Sequence, residues 1–368
     1  MIGGGVIGGA IALRLAQARL RVAVIDRGEP GGEASSAAAG MIAPQGEATG
    51  FGAFFELCQA SRDLYPSLVA ELEELTGVSL GYRSEGAILV SVDGGQQAEL
   101  DEVYRAQASH GLAIGRLTPE DLHRRVPGLS PHLTGGLFIA GDHWLDSERL
   151  ATALVEAGRH QGVAFHTHTV ATRLIVRDER LESVEIRANQ GTSPATTVSA
   201  GSFILAAGCW SGELAATLGI TLPMQPCRGQ MIEFDAPTGI PLVVRAGHHY
   251  LVPRGRCLLA GTTAEYIGFE KAVTGEGLRS ILEGVERFAP LVKTLHFRRA
   301  WAGLRPDTVD HLPILGFGSI RDLVFATGHF RNGILLAPIT ARLVAELVLT
   351  GSTSIPLDPY DPRRSNRS

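Results

Sequence analysis

The first eight residues restrict the possible folds more than any other part of this sequence. They read Met1-Ile-Gly-Gly-Gly-Val-Ile-Gly8, with glycine at positions 3, 5 and 8. Apolar side chains then recur with helical spacing from Ile11 to Ala18, and Arg21–Asp26 has the pattern of a short buried strand that ends in an acid. A Gly-x-Gly-x-x-Gly turn, a helix and a strand ending in an acidic residue together indicate a dinucleotide-binding βαβ unit.

Each part of this pattern has a physical role in holding a pyrophosphate. Gly3 permits a tight turn, Gly5 lets the pyrophosphate approach the backbone, and Gly8 lets helix and strand pack closely. The helix N-terminus supplies amide donors and the positive end of the helix dipole. Asp26 is placed to accept hydrogen bonds from the adenosine ribose. FAD-binding and NAD-binding proteins share the pattern, so it predicts a dinucleotide site without choosing between them.

Composition excludes several other classes of function. The chain has 368 residues, of which 45% are hydrophobic and 19% charged, as is ordinary for a soluble globular protein with more than one domain. A net charge of −5 and the absence of a long Lys/Arg run predict neither a nucleic-acid nor a membrane partner. Four scattered cysteines without a C-x-x-C pair indicate a reducing, cytoplasmic setting. The histidine pairs lack further ligands nearby, so no metal site is predicted.

Segments of dinucleotide-binding type recur in the middle and at the end of the chain. Ser202–Gly212 and Leu323–Gly328 both read as buried strands that run into glycine, and the stretches between them show the alternation of antiparallel strands. We therefore predict an α/β fold with an FAD/NAD(P)-binding Rossmann-like domain and a second α+β substrate domain built on an antiparallel sheet. The predicted nucleotide domain comprises 1–76, 146–220 and 303–357, the substrate domain 77–145 and 221–302, and a flexible tail 358–368.

Two further segments are candidates for contacts with the cofactor. Ala34–Met41 is a run of small residues whose backbone can lie against a flat ring, although a flexible loop has the same composition. His329–Gly333 joins a buried strand to an apolar helix. The N-terminus of such a helix could face the N1–C2 edge of a flavin, where negative charge accumulates on reduction. The alternative for this segment is a simple strand–helix turn capped by Asn332.

Two side chains are candidates for binding a substrate. Arg305 lies in Trp301–Pro306, and an arginine there could bind a carboxylate through two parallel hydrogen bonds. A structural salt bridge is the alternative for this residue. Tyr250 follows His248 in a predicted strand, and its hydroxyl could contact a substrate or be satisfied within the core.

These motifs together carry a family resemblance. The chain resembles the D-amino-acid oxidase superfamily of FAD oxidoreductases, and within it the glycine oxidases linked to thiamine biosynthesis. The similarity extends over nearly the whole chain, and its most specific parts are Gly3–Gly8, Ala34–Met41, Ala207–Gly212, Trp301–Pro306 and Thr327–Pro338.

The resemblance implies a role for each of these motifs in a non-covalent FAD site. The implied cofactor contacts are Gly3, Gly5, Val6, Ile7, Gly8, Asp26, Arg27, Ala34, Ser35, Ala39, Gly40, Met41, Val170, Gly208, Trp210, His329, Phe330, Arg331, Asn332, Gly333, Ile334 and Leu335. Arg305, Tyr250 and Arg331 are implied as catalytic and substrate-binding residues, with His248 as a further substrate contact. Related sarcosine oxidases tether their flavin through cysteine, and no cysteine follows Cys257 here.

The reaction implied by the resemblance is oxidation of the Cα–N bond of glycine. A hydride passes to the flavin, the imino acid hydrolyses to glyoxylate and ammonia, and oxygen reoxidises the flavin to give hydrogen peroxide. No dedicated general base is required. Ala264 stands where the family often has methionine, which predicts a wider pocket and admits sarcosine or small D-amino acids as substrates.

The resemblance also implies a place in metabolism and an assembly. The imine would supply thiamine thiazole synthesis, and the chain would form a homotetramer. Two alternatives stay open: a flavin dehydrogenase that passes electrons to an acceptor other than oxygen, and a non-catalytic flavin-binding module.

The strand that normally precedes the glycine pattern is short in this sequence. Only Met1 and Ile2 come before Gly3. We expect the natural start to lie upstream and the printed sequence to bind FAD poorly. An extension by about six strand-forming residues should then improve FAD retention, since strands are usually about that long.

Overall fold

The computed structural model describes residues 1–189, 194–236 and 240–364. The helices are α1 Val6–Gln17, α2 Ala34–Ala37, α3 Ala53–Asp63, α4 Tyr65–Thr76, α5 Gly94–Ser109, α6 Pro119–Arg125, α7 Ser147–His160, α8 Ser211–Ala216, α9 Gly275–Phe288 and α10 Gly333–Thr350. The strands are β1 Ala23–Ile25, β2 Met41–Ile42, β3 Ala87–Ser91, β4 Ile114–Leu117, β5 Gly135–Ile139, β6 His143–Trp144, β7 Ala164–His166, β8 Thr169–Arg177, β9 Arg180–Ala188, β10 Thr196–Ser199, β11 Phe203–Leu205, β12 Met224–Asp235, β13 Val243–Ala246, β14 His249–Arg254, β15 Cys257–Gly261, β16 His296–Thr308, β17 Ile314–Phe317 and β18 Leu323–Thr327.

A mainly parallel sheet lies beneath the glycine-rich N-terminal turn. Its order is β7, β1, Ile2, β11, β18 and β17, and only the last pairing is antiparallel. Ile2 forms bridges to both Ile25 and Leu205, so the residue before Gly3 lies at the centre of the sheet. Helices α1 and α10 pack together over one face, which explains why β11 and β18 are uninterrupted apolar runs.

A larger sheet of eight strands carries the remaining walls of the molecule. Its order is β16, β12, β15, β14, β13, β3, β5 and β4, and every pairing is antiparallel except that of β13 with β3. Helix α9 packs against β12, β14 and β15 and buries Ile281, Val285 and Phe288. A parallel nucleotide-type sheet beside a mostly antiparallel one agrees with the predicted fold class.

One predicted domain boundary falls inside a strand. Strand β16 runs from His296 to Thr308 and pairs with β12 on both sides of the boundary predicted between 302 and 303. Arg305 is therefore carried by the large sheet rather than by the nucleotide sheet. The sequence around Gly303 does not indicate a continuous strand, because a glycine inside a strand is read as a turn from sequence alone.

The C-terminal segment differs from the flexible tail expected over 358–368. Asp358–Tyr360 forms a short 3-10 turn, and Tyr360 is only 1% exposed within the core. Arg364 forms an ion pair with Asp310 at 2.7 Å. The expectation of a flexible tail is therefore wrong for residues 358–364, because burial of Tyr360 holds this polar segment against the core. Residues 365–368 lie outside the described part of the chain.

Helix α10 is the most apolar helix among the described residues. The stretch Phe330–Thr350 is long and apolar enough to cross a membrane by length and composition, but 67% of its most apolar window is buried inside the protein. A core helix has the same properties, and α10 packs against α1 and α3.

Candidate active site

A cavity of ≈ 400 Å³ lies where the two sheets meet. Its size is typical of small-molecule sites, which measure roughly 300–1,000 Å³. Most residues predicted to bind cofactor or substrate line it, namely Gly3, Gly5, Val6, Ile7, Asp26, Arg27, Ala34, Ser35, Ala39, Gly40, Met41, Val170, Gly208, Trp210, Tyr250, Arg305, His329, Phe330, Arg331, Asn332, Gly333 and Ile334. The fold thus brings together segments that are more than 300 residues apart in the chain.

Four residues singled out in the sequence lie elsewhere. Gly8 packs under the first turn, where an added Cβ would overlap the Gly3 carbonyl oxygen. Leu335 is buried and lines a smaller adjoining cavity. His248 and Ala264 are exposed and absent from the lining. The β13–β14 register pairs Ala246 with His249 and leaves His248 in the hairpin turn. The substrate contact expected of His248 is therefore not seen in the cavity lining.

The glycine-rich turn and Asp26 form one end of the cavity. Gly3 adopts φ +97°, a conformation that favours glycine, and the N-cap Gly5 has no side chain to cap α1. Asp26 accepts hydrogen bonds from the backbone N–H of Gly4 at 2.7 Å and of Gly28 at 2.9 Å. Burial raises the pKa of Asp26, although these two amides act to lower it. The turn presents helix amides and a fixed carboxylate, which suit a pyrophosphate and a ribose.

Small residues form a close-packed wall in the middle of the cavity. A Cβ added at Gly303 would lie 2.6 Å from the Ala37 Cβ, so α2 rests directly on strand β16. Trp301 of the same strand donates a hydrogen bond from Nε1 to the Ala37 carbonyl oxygen at 3.1 Å. Ser35 accepts the amide N–H of Val6 at 3.0 Å and ties this wall to α1. The wall offers backbone and methyl groups to a flat ring, as FAD requires.

The His329–Gly333 segment closes the opposite wall. His329 is 3% exposed, its Nε2 lies 3.0 Å from the Thr340 hydroxyl, and burial lowers its pKa to about 3. It is therefore neutral at physiological pH. Asn332 is the N-cap of α10 but makes no capping hydrogen bond through its side chain. The first amides of α10 thus remain available to a group in the cavity, and Gly333 and Ile334 line it.

Arg305 lies at the end of the cavity remote from Asp26. Its Nη2 donates to the Thr262 hydroxyl at 2.8 Å and its Nη1 to the Thr263 carbonyl oxygen at 3.1 Å. A Cβ added at Gly229 on the neighbouring strand would overlap its guanidinium. Among the described residues no Asp or Glu forms an ion pair with Arg305. The cavity therefore contains a positive charge that is oriented by neutral groups and is free to bind an anion.

Tyr250 and Met231 pack beside Arg305. The Tyr250 hydroxyl donates to the Met231 sulphur at 3.3 Å, and the ring is 4% exposed. Burial raises the pKa of Tyr250, although the charge of Arg305 acts to lower it. The hydroxyl is consequently protonated at any physiological pH and serves as a neutral hydrogen-bonding group.

Glu47 is a cavity residue to which no sequence motif points. Its Oε2 lies 3.4 Å from Arg331 Nε and its Oε1 lies 3.1 Å from Arg245 Nη1. Burial acts to raise its pKa, but the charges of Arg245, Arg331 and Arg305 prevail and hold the pKa below its usual value. A glutamate in the polar stretch that follows Met41 looks like an ordinary solvated side chain, because its partners come from distant segments.

The comparison with known proteins decides the family. A family model described as an FAD-dependent oxidoreductase, DAO, matches residues 1–347. The chain belongs to this family of FAD-dependent oxidoreductases. The resemblance predicted from its motifs and the prediction of FAD as cofactor are confirmed. No group of three or more His, Cys, Asp or Glu residues suited to a metal ion occurs in the described part of the chain.

Relatives and solved structures agree with this assignment. The chain is 33% identical over 378 residues to a glycine oxidase of Geobacillus kaustophilus. The alignment covers 99% of this chain and 96% of that protein. It is 36% identical over 364 residues to a bifunctional protein ThiO/ThiG of Trichormus variabilis, covering 95% of this chain but 52% of the relative. The chain thus spans about half the length of the bifunctional relatives.

The fold is shared with solved oxidases. The crystal structure of the Geobacillus kaustophilus glycine oxidase matches with a TM-score of 0.92 and 32% identity, covering 99% of this chain and 97% of that chain. An iminodiacetate oxidase from Chelativorans matches with a TM-score of 0.87 and 26% identity, covering 98% of each chain. These similarities confirm the predicted α/β fold class.

Proposed function

We propose that this chain is an amino-acid oxidase that acts on glycine, with sarcosine and small D-amino acids as further substrates. The observation that carries the proposal is the unpaired charge of Arg305 at the end of a cavity built to hold FAD. A guanidinium held by neutral groups binds a carboxylate with two parallel hydrogen bonds. The names of the full-length relatives, which are glycine oxidases, support the same substrate.

The residues present fit FAD along the whole cavity. The turn at Gly3–Gly8 would hold the pyrophosphate, Asp26 the adenosine ribose, and the Ala34–Met41 wall and the start of α10 the flavin. Cys209, the one cysteine in the lining, is 4% exposed, and burial raises the pKa of its thiol, so we propose a non-covalent cofactor. When bound, FAD accepts the hydride that leaves the α-carbon of the substrate.

The chain's own contribution to catalysis would be to orient the substrate. Arg305 would bind the substrate carboxylate, and the neutral hydroxyl of Tyr250 would lie beside it. Both are held by packing and hydrogen bonds, so the α-carbon is positioned before reaction. His329 is neutral and hydrogen-bonded to Thr340, so it does not act as a cationic acid. The reacting amine enters unprotonated, and no side chain has to remove a proton from the α-carbon.

The fate of the product is a further part of the proposal. The imine formed from glycine would supply thiamine thiazole synthesis, which the ThiO/ThiG names of several relatives support. We also propose a cytoplasmic homo-oligomer, a tetramer, as the family resemblance implies.

A spectral experiment tests the function. The purified protein, reconstituted with FAD, is mixed without oxygen with glycine, sarcosine and D-alanine, and the flavin absorbance is followed. We expect bleaching with glycine, and hydrogen peroxide on admission of air. Bleaching without peroxide would identify a dehydrogenase instead, and no bleaching with any of the three amines would overturn the proposal.

A further inference from the structure

Glu47 lies between Arg331, which lines the site, and Arg245, which lies outside its lining. Each of its carboxylate oxygens is engaged, one by Arg331 and the other by Arg245. Glu47 and Arg331 line the same cavity as Arg305, whereas Arg245 does not. Glu47 also borders the adjoining smaller cavity of ≈ 170 Å³. It therefore lies on the wall between the two spaces, with its charge directed at a substrate-site arginine.

The backbone that carries Glu47 is held firmly. Asp142, 1% exposed, accepts the amide N–H of Gln45 at 3.0 Å and of Gly46 at 2.8 Å. Arg245 Nη1 donates to the Gly46 carbonyl oxygen at 2.9 Å, and Gln107 Nε2 donates to the Gln45 carbonyl oxygen at 2.9 Å. Four hydrogen bonds thus fix the two residues before Glu47. The position of the Glu47 carboxylate is therefore fixed by the surrounding structure, unlike that of a mobile surface side chain that pairs with an arginine by chance.

Arg331 and Arg305 consequently differ in the charge that they offer to a ligand. Arg331 forms an ion pair with a carboxylate, whereas the hydrogen-bond partners of Arg305 within the described residues are a hydroxyl, a carbonyl oxygen and a cysteine sulphur. We propose that Glu47 determines the charge of the accepted substrate: by occupying Arg331 it leaves one cation for one substrate carboxylate and excludes amines that carry a second anionic group. This inference rests on the proposed function and adds the substrate's charge class to it.

The physical basis is a balance of like and unlike charges in a partly desolvated space. A second carboxylate on the substrate amine would meet Glu47 before it could pair with Arg331. Two like charges about 4 Å apart repel more strongly in such a space than in bulk water, because less solvent screens them. Specificity of this kind comes from a repulsive group placed against the wrong ligand. Removal of the charge converts the same arginine into an attractive partner.

A matched pair of amines measures this effect. N-ethylglycine and iminodiacetate both carry an N-substituent of two heavy atoms or more next to a glycine unit, but only iminodiacetate adds a carboxylate. We expect the wild-type enzyme to favour N-ethylglycine, and Glu47→Gln to raise the ratio of kcat/KM for iminodiacetate over N-ethylglycine by about tenfold or more. Arg331→Gln should lower this ratio, because the charge of Glu47 then lacks its Arg331 partner and repels the second carboxylate more strongly.

A binding measurement keeps the test independent of turnover. Malonate and propionate are titrated into the FAD-loaded protein, and their Kd values are read from the flavin spectrum. Glu47→Gln should strengthen the binding of malonate relative to that of propionate by a similar factor. Glu85→Gln is the control, because Glu85 pairs with Arg83 at 2.6 Å and both side chains are about half exposed. That variant should keep the wild-type ratios.

The outcomes separate the two proposals. If no amine is oxidised, the proposed function fails, and the malonate and propionate titration still decides the role of Glu47. If Glu47→Gln leaves both ratios within twofold of wild type, Glu47 does not set charge specificity. Should Glu47→Gln fail to fold, Arg331→Gln decides: an unchanged or higher preference for the dianion contradicts the proposal.

Discussion

Arg305 depends on its immediate partners for its orientation. Two threonines accept hydrogen bonds from its guanidinium, and none of the described carboxylates forms an ion pair with it. We predict that Arg305→Leu lowers kcat/KM for glycine by about 10² to 10³, because loss of one partner of a buried charge pair costs about 2–5 kcal/mol. Steady-state peroxide production measures this, while the flavin spectrum checks that FAD is retained. Arg83→Leu at an exposed ion pair serves as control, and a loss below threefold for Arg305→Leu would contradict the assignment.

His329 should make the protein less stable in acid. Burial lowers its pKa to about 3, against about 6.5 for a free histidine, so unfolding exposes a group that binds a proton more readily. Stability is then present above pH 6.5 and lost as the pH falls below it. The expected loss between pH 7 and pH 5 is about 2 kcal/mol.

The substitution His329→Asn should reduce this acid loss. Urea unfolding at the two pH values, with FAD in excess, gives the difference in free energy of unfolding. His132→Asn, at an exposed position, should retain the wild-type difference. An equal acid loss in His329→Asn and wild type would show that another group is responsible.

At the residue scale, a local motif is enough to indicate which residues line the cavity. The Gly3–Gly8 turn and the His329–Gly333 junction line the cavity because their own neighbours dictate a turn before a helix. Glu47 was missed, because Arg245 lies 198 positions and Arg331 still further along the chain, and such pairing is set by tertiary structure. His248 failed for a related reason, since the hairpin register decides which residue occupies the turn.

Strand β12 and strand β16 cooperate to place Arg305. Gly229 and Gly303 lie opposite each other in the register, and the space over Gly229 is filled by the guanidinium. We predict that Gly229→Ala displaces Arg305 and raises the KM for glycine about tenfold, a cost of about 1.4 kcal/mol, while FAD stays bound. Substrate titration of initial rates measures the change.

A second strand glycine provides the matched control. Gly115 on β4 has no atom within 4 Å of an added Cβ and belongs to the same sheet. Gly115→Ala should leave the KM unchanged. If both variants behave alike, the effect of Gly229→Ala comes from general changes in the sheet and not from Arg305.

At the level of elements, the sequence predicts types better than limits. The buried strands β11 and β18 were predicted from their apolar runs. The full length of β16 was not, because Trp301–Pro306 combines glycine and proline, which usually interrupt strands. Pro306 is accommodated since β16 is the edge strand of its sheet, where a missing N–H need not be paired.

At the scale of the whole molecule, the segment after α10 packs back against the core through Tyr360. Tyr360 is 1% exposed and packs in the core that contains α1, α3 and α10. Its hydroxyl has no hydrogen-bond partner among the described residues. We predict that Tyr360→Ala lowers the free energy of unfolding by about 3 kcal/mol through the cavity that it leaves.

Tyr360→Phe separates packing from hydrogen bonding. It removes only the unpaired hydroxyl and should leave stability unchanged or raise it by about 1 kcal/mol. Urea unfolding of the FAD-loaded protein measures both variants. Equal destabilisation by Phe and Ala would mean that the hydroxyl is satisfied in solution.

Strand β16 has a consequence for thermodynamic linkage. It supports the Ala34–Ala37 wall through Trp301 and Gly303 and, two residues later, carries Arg305. A ligand that orders this strand from one side therefore reduces the entropy that the other ligand must lose, and such coupling is reciprocal. A carboxylate that is not oxidised, such as propionate, should slow the loss of FAD during dialysis, and FAD should tighten propionate by the same factor. In this protein the cofactor and the acid would then act as mutual retention signals, and the enzyme would hold its flavin best when substrate is plentiful.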